Sequence, residues 1–372
     1  MRKKRILFIL PTYSIRGAGV TEAPKGLAKQ LAANTNLSIS AIALDDPNTD
    51  AALGDWDEID IHRVKNLGLG FSLGLKKKIK DINPDIIHIH GLWVGIGIQA
   101  AFWAMSNNVK YFVSPHGMMD KWAWNKSRFR KFFFYHLFQK KVLLKSSGLH
   151  SLNEEEKASV KEILPNKDSF ILPNGICIDD YSRNPNEIND KKKLLFLGRI
   201  DPKKSVLELV MVWVELIQEE KTSGWTLEIA GSGDANYEKA LRQAAGEYLN
   251  KGISFKGHVQ GMKKFNCFKE ASAFILPSKS EGLPVAILEA WAASLPAAIS
   301  KECNLPDSLD LGLAFEVYSD KKRLKKCLTQ FIGLDANKLE TMGNDSLEYV
   351  KRHYSWTSIA KEFTRLYDEY KH

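Results

Sequence analysis

At 372 residues the chain exceeds what one hydrophobic core usually supports, so two domains of roughly 150–200 residues are expected. Hydrophobic residues make up 44% and charged residues 26%, a balance that excludes a disordered or fibrous protein. The formal net charge of +9 calls for an anionic partner and does not choose among nucleic acid, an acidic membrane surface and a phosphorylated ligand.

The start, Met1-Arg2-Lys3-Lys4-Arg5, has the charge of a signal-peptide head, but the apolar run Ile6–Pro11 is too short and no cleavage pattern follows. No apolar run reaches the roughly 18–20 residues of a membrane span. The chain is therefore expected to stay in the cytoplasm. Arg5–Leu10 reads as a buried strand, Gly17–Gly19 as a turn, and Glu22–Ala33 as a helix with Ala23, Leu27 and Leu31 on one face. Strands follow at Ser38–Leu44, Ile86–His90, Lys110–Ser114 and Gly148–Ser151, with a helical stretch at Ser72–Ile82. Asp179–Lys193, rich in Asn, Asp and Lys, reads as a linker. Beyond it come strands Leu194–Gly198, Thr226–Ala230, Ile253–Phe255, Ala273–Leu276 and Ala297–Ser300. Helices are expected between them at Val206–Glu219, Tyr237–Leu249, Met262–Ala271 and Val285–Ala293. Leu339–Tyr370 reads as helical with a break near His353–Trp356. This βαβα rhythm predicts two α/β, doubly wound parallel sheets, with ligands bound outside the carboxyl ends of the strands. The four cysteines (Cys177, Cys267, Cys303 and Cys327) are scattered without a C-x-x-C pair, which predicts reduced, mostly buried thiols.

The densest chemistry lies in Ser280-Glu281-Gly282-Leu283-Pro284-Val285-Ala286-Ile287-Leu288-Glu289-Ala290. Two carboxylates stand eight positions apart, with a proline suited to the opening turn of a helix. Glu281 then precedes the helix and Glu289 lies along it. The free amides near Leu283–Ala286 form a phosphate site aided by the helix dipole. Two carboxylates beside a phosphate suit the hydroxyls of a ribose and a sugar. The competing reading is a capped amphipathic helix with solvent-facing glutamates.

The whole string resembles the E-x7-E signature of retaining glycosyltransferases with the GT-B fold, family 4 (the glycosyl transferases group 1). Leu197-Gly198-Arg199-Ile200-Asp201-Pro202-Lys203-Lys204 is similar to that family's G-R-x-x-x-x-K element, and Ala230-Gly231-Ser232-Gly233 to its strand-end glycine turn. Phe255-Lys256-Gly257-His258-Val259 resembles the base-binding strand and loop, and Pro173-Asn174-Gly175 the P-N-G segment. In the first half, Gly17-Ala18-Gly19-Val20-Thr21-Glu22 resembles the glycine loop and Pro115-His116-Gly117 the H-G element; Tyr354-Ser355-Trp356 resembles the tail. Order and spacing agree from about residue 5 to 300. The pair of adjacent glycines usual in the family is Ala18-Gly19 here, and Cys177 stands where Asp is common.

The resemblance implies GT-B architecture, two Rossmann-like doubly wound domains facing a cleft. An acceptor domain would span 1–178 and a nucleotide-sugar domain 190–354, with a final helix over about 355–372 packing back on the first. It implies transfer of a sugar from a nucleotide diphosphate sugar to a glycan or lipid-linked glycan, without metal or other cofactor, as in bacterial surface polysaccharide synthesis. Arg199 and Lys204 would neutralise the departing diphosphate. Glu281 and His116 would contact the donor sugar and Glu289 the ribose, with His258 and Val259 beside the base. Gly19, Gly198, Gly231, Gly282, Leu283, Pro284 and Val285 would complete the donor site. The acceptor is expected near Asp120, Trp122, Trp124 and Asn174.

Other readings compete. As a dinucleotide fingerprint, Gly17-x-Gly19-x-x-Glu22 lacks its third glycine, although Asp45 and Asp46 follow at nearly the right distance, so an NAD-dependent dehydrogenase is the second enzyme reading. His88 and His90 alternate on one strand as a metal pair would, but no third ligand lies nearby. From Lys121 to Lys145 eight basic residues interleave with aromatics and no acid. The stretch suits an anionic membrane surface at the inner face of the plasma membrane, a nucleic-acid platform, or a helix packed in the core. The first agrees with a lipid-linked acceptor; a basic nucleic-acid-binding protein is the non-enzymatic alternative.

Overall fold

The computed structural model describes residues 2–14, 17, 19–56, 59–119, 133–182, 192–222, 224–281, 283–305 and 307–369. The chain divides into two compact units: Met1–Gly175 with Trp356–His372, and Ile176–Ser355. Each is built on one parallel sheet.

In the first unit the elements are β1 (Lys4–Leu10), α1 (Gly19–Ala32), β2 (Leu37–Leu44), the short α2 (Thr49–Ala52), β3 (Asp60–Val64), α3 (Leu75–Ile82), β4 (Ile86–His90), α4 (Gly95–Ser106) and β5 (Lys110–Ser114). A π-helical turn (Tyr135–Gln139) then runs into α5 (Lys140–Lys145), followed by β6 (Gly148–Ser151), α6 (Glu154–Ile163) and β7 (Ser169–Ile171). The sheet order is β3-β2-β1-β4-β5-β6-β7, parallel throughout. Strand alternation divides β1 between two cores. Ile6, Phe8 and Leu10 face Leu27 and Leu31 of α1, while Leu7 and Ile9 face Ile96 of α4 and Val142 of α5. Apolar residues on both faces are what a sheet covered by helices on both sides requires.

The second unit holds β8 (Lys192–Leu197), α7 (Val206–Gln218), β9 (Trp225–Ala230), α8 (Ala235–Ala245), β10 (Ile253–Gly257), α9 (Met262–Glu270) and β11 (Ala273–Leu276). It continues with α10 (Val285–Ala292), β12 (Ala297–Ser300), β13 (Ala314–Val317), α11 (Lys321–Ile332) and α12 (Ala336–His353). The order β10-β9-β8-β11-β12-β13 is again parallel, around a core that includes Phe196, Trp213, Phe268, Phe274 and Trp291.

The chain then returns to the first unit as α13 (Trp356–Glu369), whose Ile359, Phe363 and Tyr367 join the core beneath α1. Its first residue explains two glycines. A Cβ at Gly26 or at Gly175 would meet the Trp356 ring at 2.4 Å, so both positions must stay bare. The boundary between units falls at Gly175/Ile176, ahead of the polar 179–193 stretch rather than inside it. Asp179–Tyr181 forms a 3-10 turn with Tyr181 buried, and β8 already begins at Lys192. Cys267 and Cys303 are buried and Cys327 half-buried, but Cys177 is exposed, because the turn leading into that 3-10 segment lies at the surface. Among the described residues no helix is long and apolar enough to cross a membrane.

Candidate active site

In the second unit β8 and β11 are neighbours whose crossovers run in opposite directions, so the crevice beyond their carboxyl ends is the switch point of the sheet. Two loops meet there. After β8, Asp201 caps the short 3-10 helix Pro202–Lys204 by accepting the Lys203 amide at 2.9 Å. The Lys203 carbonyl accepts the Lys279 amide from the loop after β11 at 2.7 Å. This brings Lys204 to Glu281: Nζ donates to Oε1 at 2.5 Å, and the Ser278 hydroxyl donates to the same oxygen at 2.5 Å. The two side chains are only 18% and 12% exposed, so the pair is far better shielded than a surface ion pair. Glu281 is held through its backbone as well. Its amide donates to the Glu302 carbonyl at 2.9 Å, and Asn304 Nδ2 donates to its carbonyl at 2.6 Å.

Glu289 lies on the second turn of α10 and is 5% exposed, which removes the reading of a solvent-facing glutamate. Its Oε1 accepts the Tyr181 hydroxyl at 2.7 Å and the Lys264 ammonium. Burial and the neighbouring Glu289 charge push the Tyr181 hydroxyl far above the ordinary tyrosine range, so it stays a donor. Pro284 is the N-cap of α10 rather than its first residue; Leu283 packs on the core, Val285 is exposed, and Gly282 lies outside the described residues.

The walls of this crevice are backbone. Gly198 N donates to the Ala230 carbonyl at 3.0 Å and Ile200 N to the Ser232 carbonyl at 2.9 Å, zipping the loops after β8 and β9. A Cβ at Gly231 would lie 1.8 Å from the Gly198 oxygen, and Gly231 has φ +146°, so only glycine fits. At Gly198 a Cβ would make ordinary contact, 3.8 Å from the Phe196 ring and 3.9 Å from the Lys204 methylenes, so packing alone does not demand a glycine beside that lysine. Gly231 N donates to the Gly257 carbonyl at 2.7 Å, which sets the exposed His258 and half-buried Val259 next to the same edge. Arg199 stands apart: its side chain is 75% exposed and its Nε is 3.9 Å from Asp201.

In the first unit Gly19 opens α1 beyond the end of β1, with nothing within 4 Å of where a Cβ would stand. Ala18 lies outside the described residues, as do Asp120, Trp122 and Trp124. Asn174 is half-buried in the segment after β7. His116 follows β5 in the left-handed region at φ +53°, before Gly117 at φ +74°. Glu156 holds this turn, because its two oxygens accept the Gly117 and Leu152 amides at 2.6 Å each. His116 Nε2 lies 3.1 Å from His90 Nδ1. Burial, reinforced by His150, pulls the His116 pKa down to about 3, so the ring is neutral.

His88 is fully buried and belongs to a hydrogen-bonded chain whose direction is fixed at one end. The Leu172 carbonyl can only accept, so His150 Nε2–H donates to it at 2.7 Å. Burial lowers the His150 pKa to about 4, so its neutral Nδ1 accepts the Ser114 hydroxyl at 2.6 Å. Ser114 Oγ accepts His88 Nε2–H at 2.7 Å, and His88 Nδ1 accepts the Tyr367 hydroxyl at 2.6 Å. The histidines that resemble a metal pair thus point at Tyr367, Ser114 and His116. Among the described residues no cluster of three metal-ligating side chains occurs.

Two Rossmann-like units, one of them carrying a lysine–glutamate pair and glycine-walled loops at its switch point, define a GT-B glycosyltransferase. The family models agree: "Glycosyl transferases group 1" matches residues 191–331 and "Glycosyltransferase Family 4" residues 27–180. The chain belongs to the group 1 glycosyltransferases. It is 28% identical over 241 residues to the UDP-Gal:alpha-D-GlcNAc-diphosphoundecaprenol alpha-1,3-galactosyltransferase of Escherichia coli, over 61% of this chain and 60% of that one. It is 25% identical to the lipopolysaccharide 1,2-N-acetylglucosaminetransferase of Salmonella typhimurium, over 56% of this chain and 58% of that one. The chain thus spans about three fifths of those relatives' lengths. Among solved structures, HepE from Anabaena in complex with UDP-glucose superposes with a TM-score of 0.69 at 14% identity, covering 98% of this chain and 99% of that one. A glycosyltransferase from Rickettsia africae gives a TM-score of 0.71 at 14% identity, covering 99% of both chains. These likenesses lend no support to the dehydrogenase or nucleic-acid readings. Asp45 is moreover paired with Arg63 at 2.6 Å, and Asp46 accepts the Thr12 and Ser14 hydroxyls.

Proposed function

We propose that this chain is a retaining, metal-independent transferase that moves a sugar from a nucleoside diphosphate to a glycan or lipid-linked glycan of a bacterial surface polysaccharide. It would work in the cytoplasm against an anionic membrane, with residues 121–145 as one contact. The observation that carries the reading is the shielded Lys204–Glu281 pair at the switch point, with Gly198 beside it. Lys204, drawn in to the same crevice, supplies positive charge where a diphosphate leaves, and Arg199 adds a second cation from solvent. Glu281, fixed by Ser278, Asn304 and its own amide, presents a carboxylate to sugar hydroxyls. A front-face displacement needs no protein nucleophile: the departing phosphate oxygen takes the acceptor's proton as the new glycosidic bond forms.

Thermal shifts with a panel of UDP-, GDP-, ADP- and TDP-sugars test this reading. A true donor at 100 times its Kd adds about 2.7 kcal/mol of stability; no shift with any of them would refute it. Glu289→Gln should weaken free nucleoside diphosphate about 10-fold or more, because a charged acceptor for ribose hydroxyls is lost. Glu281→Gln should leave that affinity nearly unchanged and lower turnover of the whole donor. Titration of both variants with the nucleotide alone separates the roles, and equal losses would overturn the division. Activity should also survive excess chelator, since Lys204, Arg199 and the amides opening α10 replace a divalent ion. Abolition by chelator and restoration by magnesium or manganese would refute metal independence.

A further inference from the structure

The loop ahead of α3 holds leucines out in water. Leu67, Leu69 and Leu73 are 53%, 69% and 86% exposed. The loop is nevertheless tightly built. Leu67 N donates to the Phe71 carbonyl at 2.9 Å and Phe71 N to the Gly68 carbonyl at 3.0 Å. Gly95 N, at the start of α4, donates to the Leu69 carbonyl at 3.0 Å. Gln99 grips Ser72 in both directions, accepting its amide at 2.9 Å and donating to its carbonyl at 3.0 Å. Phe71 packs so closely on Gly95 that a Cβ there would meet its ring at 2.5 Å, and one at Gly70 would meet Val94 at 2.3 Å. A turn pinned on both sides that still presents three leucines outward has the form of an insertion tip, since soluble surfaces rarely cluster apolar side chains without a use.

Charge surrounds the tip. From residue 65 to 80 the chain carries five lysines and no acid. Leu75 and Ile79 bury one side of α3, which leaves Lys76, Lys77 and Lys80 exposed. A second element matches it: Leu137 and Leu144 are 66% and 43% exposed, with Lys140, Lys141 and Lys145 also at the surface, opposite buried Tyr135, Val142 and Leu143. Both elements pack on α4, and Lys141 lies 5.4 Å from the Phe102 ring of that helix.

We propose that the leucine-tipped loop 65–74 and the Leu137–Leu144 stripe are two feet of one docking face for an anionic lipid bilayer. The leucines enter the headgroup boundary and the lysines pair with lipid phosphates. The inference rests on the reading that the acceptor is membrane-linked. Aliphatic tips gain from hydrocarbon and nothing from base stacking, which favours lipid over nucleic acid. Because the loop is bonded to the start of α4, beyond the carboxyl end of β4, docking brings that edge of the sheet, with His116 in the turn after the adjacent β5, toward the headgroups.

Cosedimentation with vesicles of phosphatidylglycerol and phosphatidylcholine (1:1), and of phosphatidylcholine alone, tests the face. The intact chain should bind only the mixed vesicles. The triple variant Leu67→Ser/Leu69→Ser/Leu73→Ser should lose at least about tenfold in partitioning, with its melting temperature and nucleotide-sugar thermal shift unchanged. Lys76→Gln/Lys77→Gln/Lys80→Gln should lose the preference for the charged lipid. Equal partitioning of the triple variant and the parent overturns the loop's role, as does displacement of the parent from vesicles by an oligonucleotide. Absence of vesicle binding with the thermal shift intact overturns the docking face and leaves the transferase reading standing. Absence of the shift refutes that reading independently.

Discussion

Lys204→Ala should slow sugar transfer by about 10²- to 10³-fold, equivalent to about 2.7–4 kcal/mol of transition-state stabilisation. Two losses combine. On the proposed assignment the cation nearest the leaving diphosphate disappears, and Glu281, only 12% exposed along its side chain, keeps Ser278 as a hydrogen-bond donor but loses its counter-charge. Arg199→Ala belongs in the same range if the guanidinium turns inward when the diphosphate arrives. The comparison needs kcat/KM for the donor, with the melting temperature of each variant as a control for folding. Wild-type turnover by a well-folded Lys204→Ala variant would place the leaving-group site elsewhere.

Acid should unfold the first unit well before its carboxylates titrate. His116 and His150 are held neutral by burial, at about 3 and about 4 against 6.5 for a free side chain, and His88 and His90 shift the same way. A depressed histidine pKa means that the unfolded chain binds protons the folded chain refuses. The associated stability is complete above pH 6.5 and falls as the pH drops through 6.5 toward the folded values. At pH 5 the cost is about 2 kcal/mol for each of these two histidines. Denaturant melts at pH 7.5 and 5.0 should therefore differ by about 4 kcal/mol or more for this unit. A flat profile between those values would mean that the histidines are charged or exposed in solution.

How much of this was legible in the residues depended on where each element lies. The interior strands β1, β4, β5, β11 and β12 carry unbroken apolar runs, and their limits read off within a residue of those observed. β3, β7 and β13 leave no clear signal because they are sheet edges; Asp60-Ile61-His62-Arg63-Val64 has no apolar run. Helices α4, α6 and α11 also leave little signal in the sequence. The first is apolar nearly all round, so its periodicity is weak; the other two are so rich in charge that they resemble loops. In the candidate site, Glu281 and Glu289 stand out by spacing and Lys204 by the resemblance of its segment to the family's G-R-x-x-x-x-K element, but the groups that hold them do not. Tyr181 lies 108 positions from Glu289, in a stretch whose polar composition suggests a linker. Lys264 is one of many lysines, and Ser278, Asn304 and Glu156 are residue types common on any surface. Their importance comes from tertiary contacts that no local pattern records. Taken alone, the two glutamates read more readily as solvated, and the burial of Glu289 is what removes that reading for it.

The hydrogen-bonded chain from Tyr367 to the Leu172 carbonyl has a consequence for the order of events during synthesis. The second unit is continuous in sequence and can close as it leaves the ribosome, whereas the first is interrupted by the whole of residues 176–355. Until α13 emerges, Phe112 and Phe170 lack the rings of Tyr367 and Phe363, and His88 has no donor for Nδ1. The first unit is thus an unfinished, sticky intermediate for as long as its inserted neighbour takes to be translated. A chain that stopped before Trp356 would carry a complete second unit attached to a first that never seals.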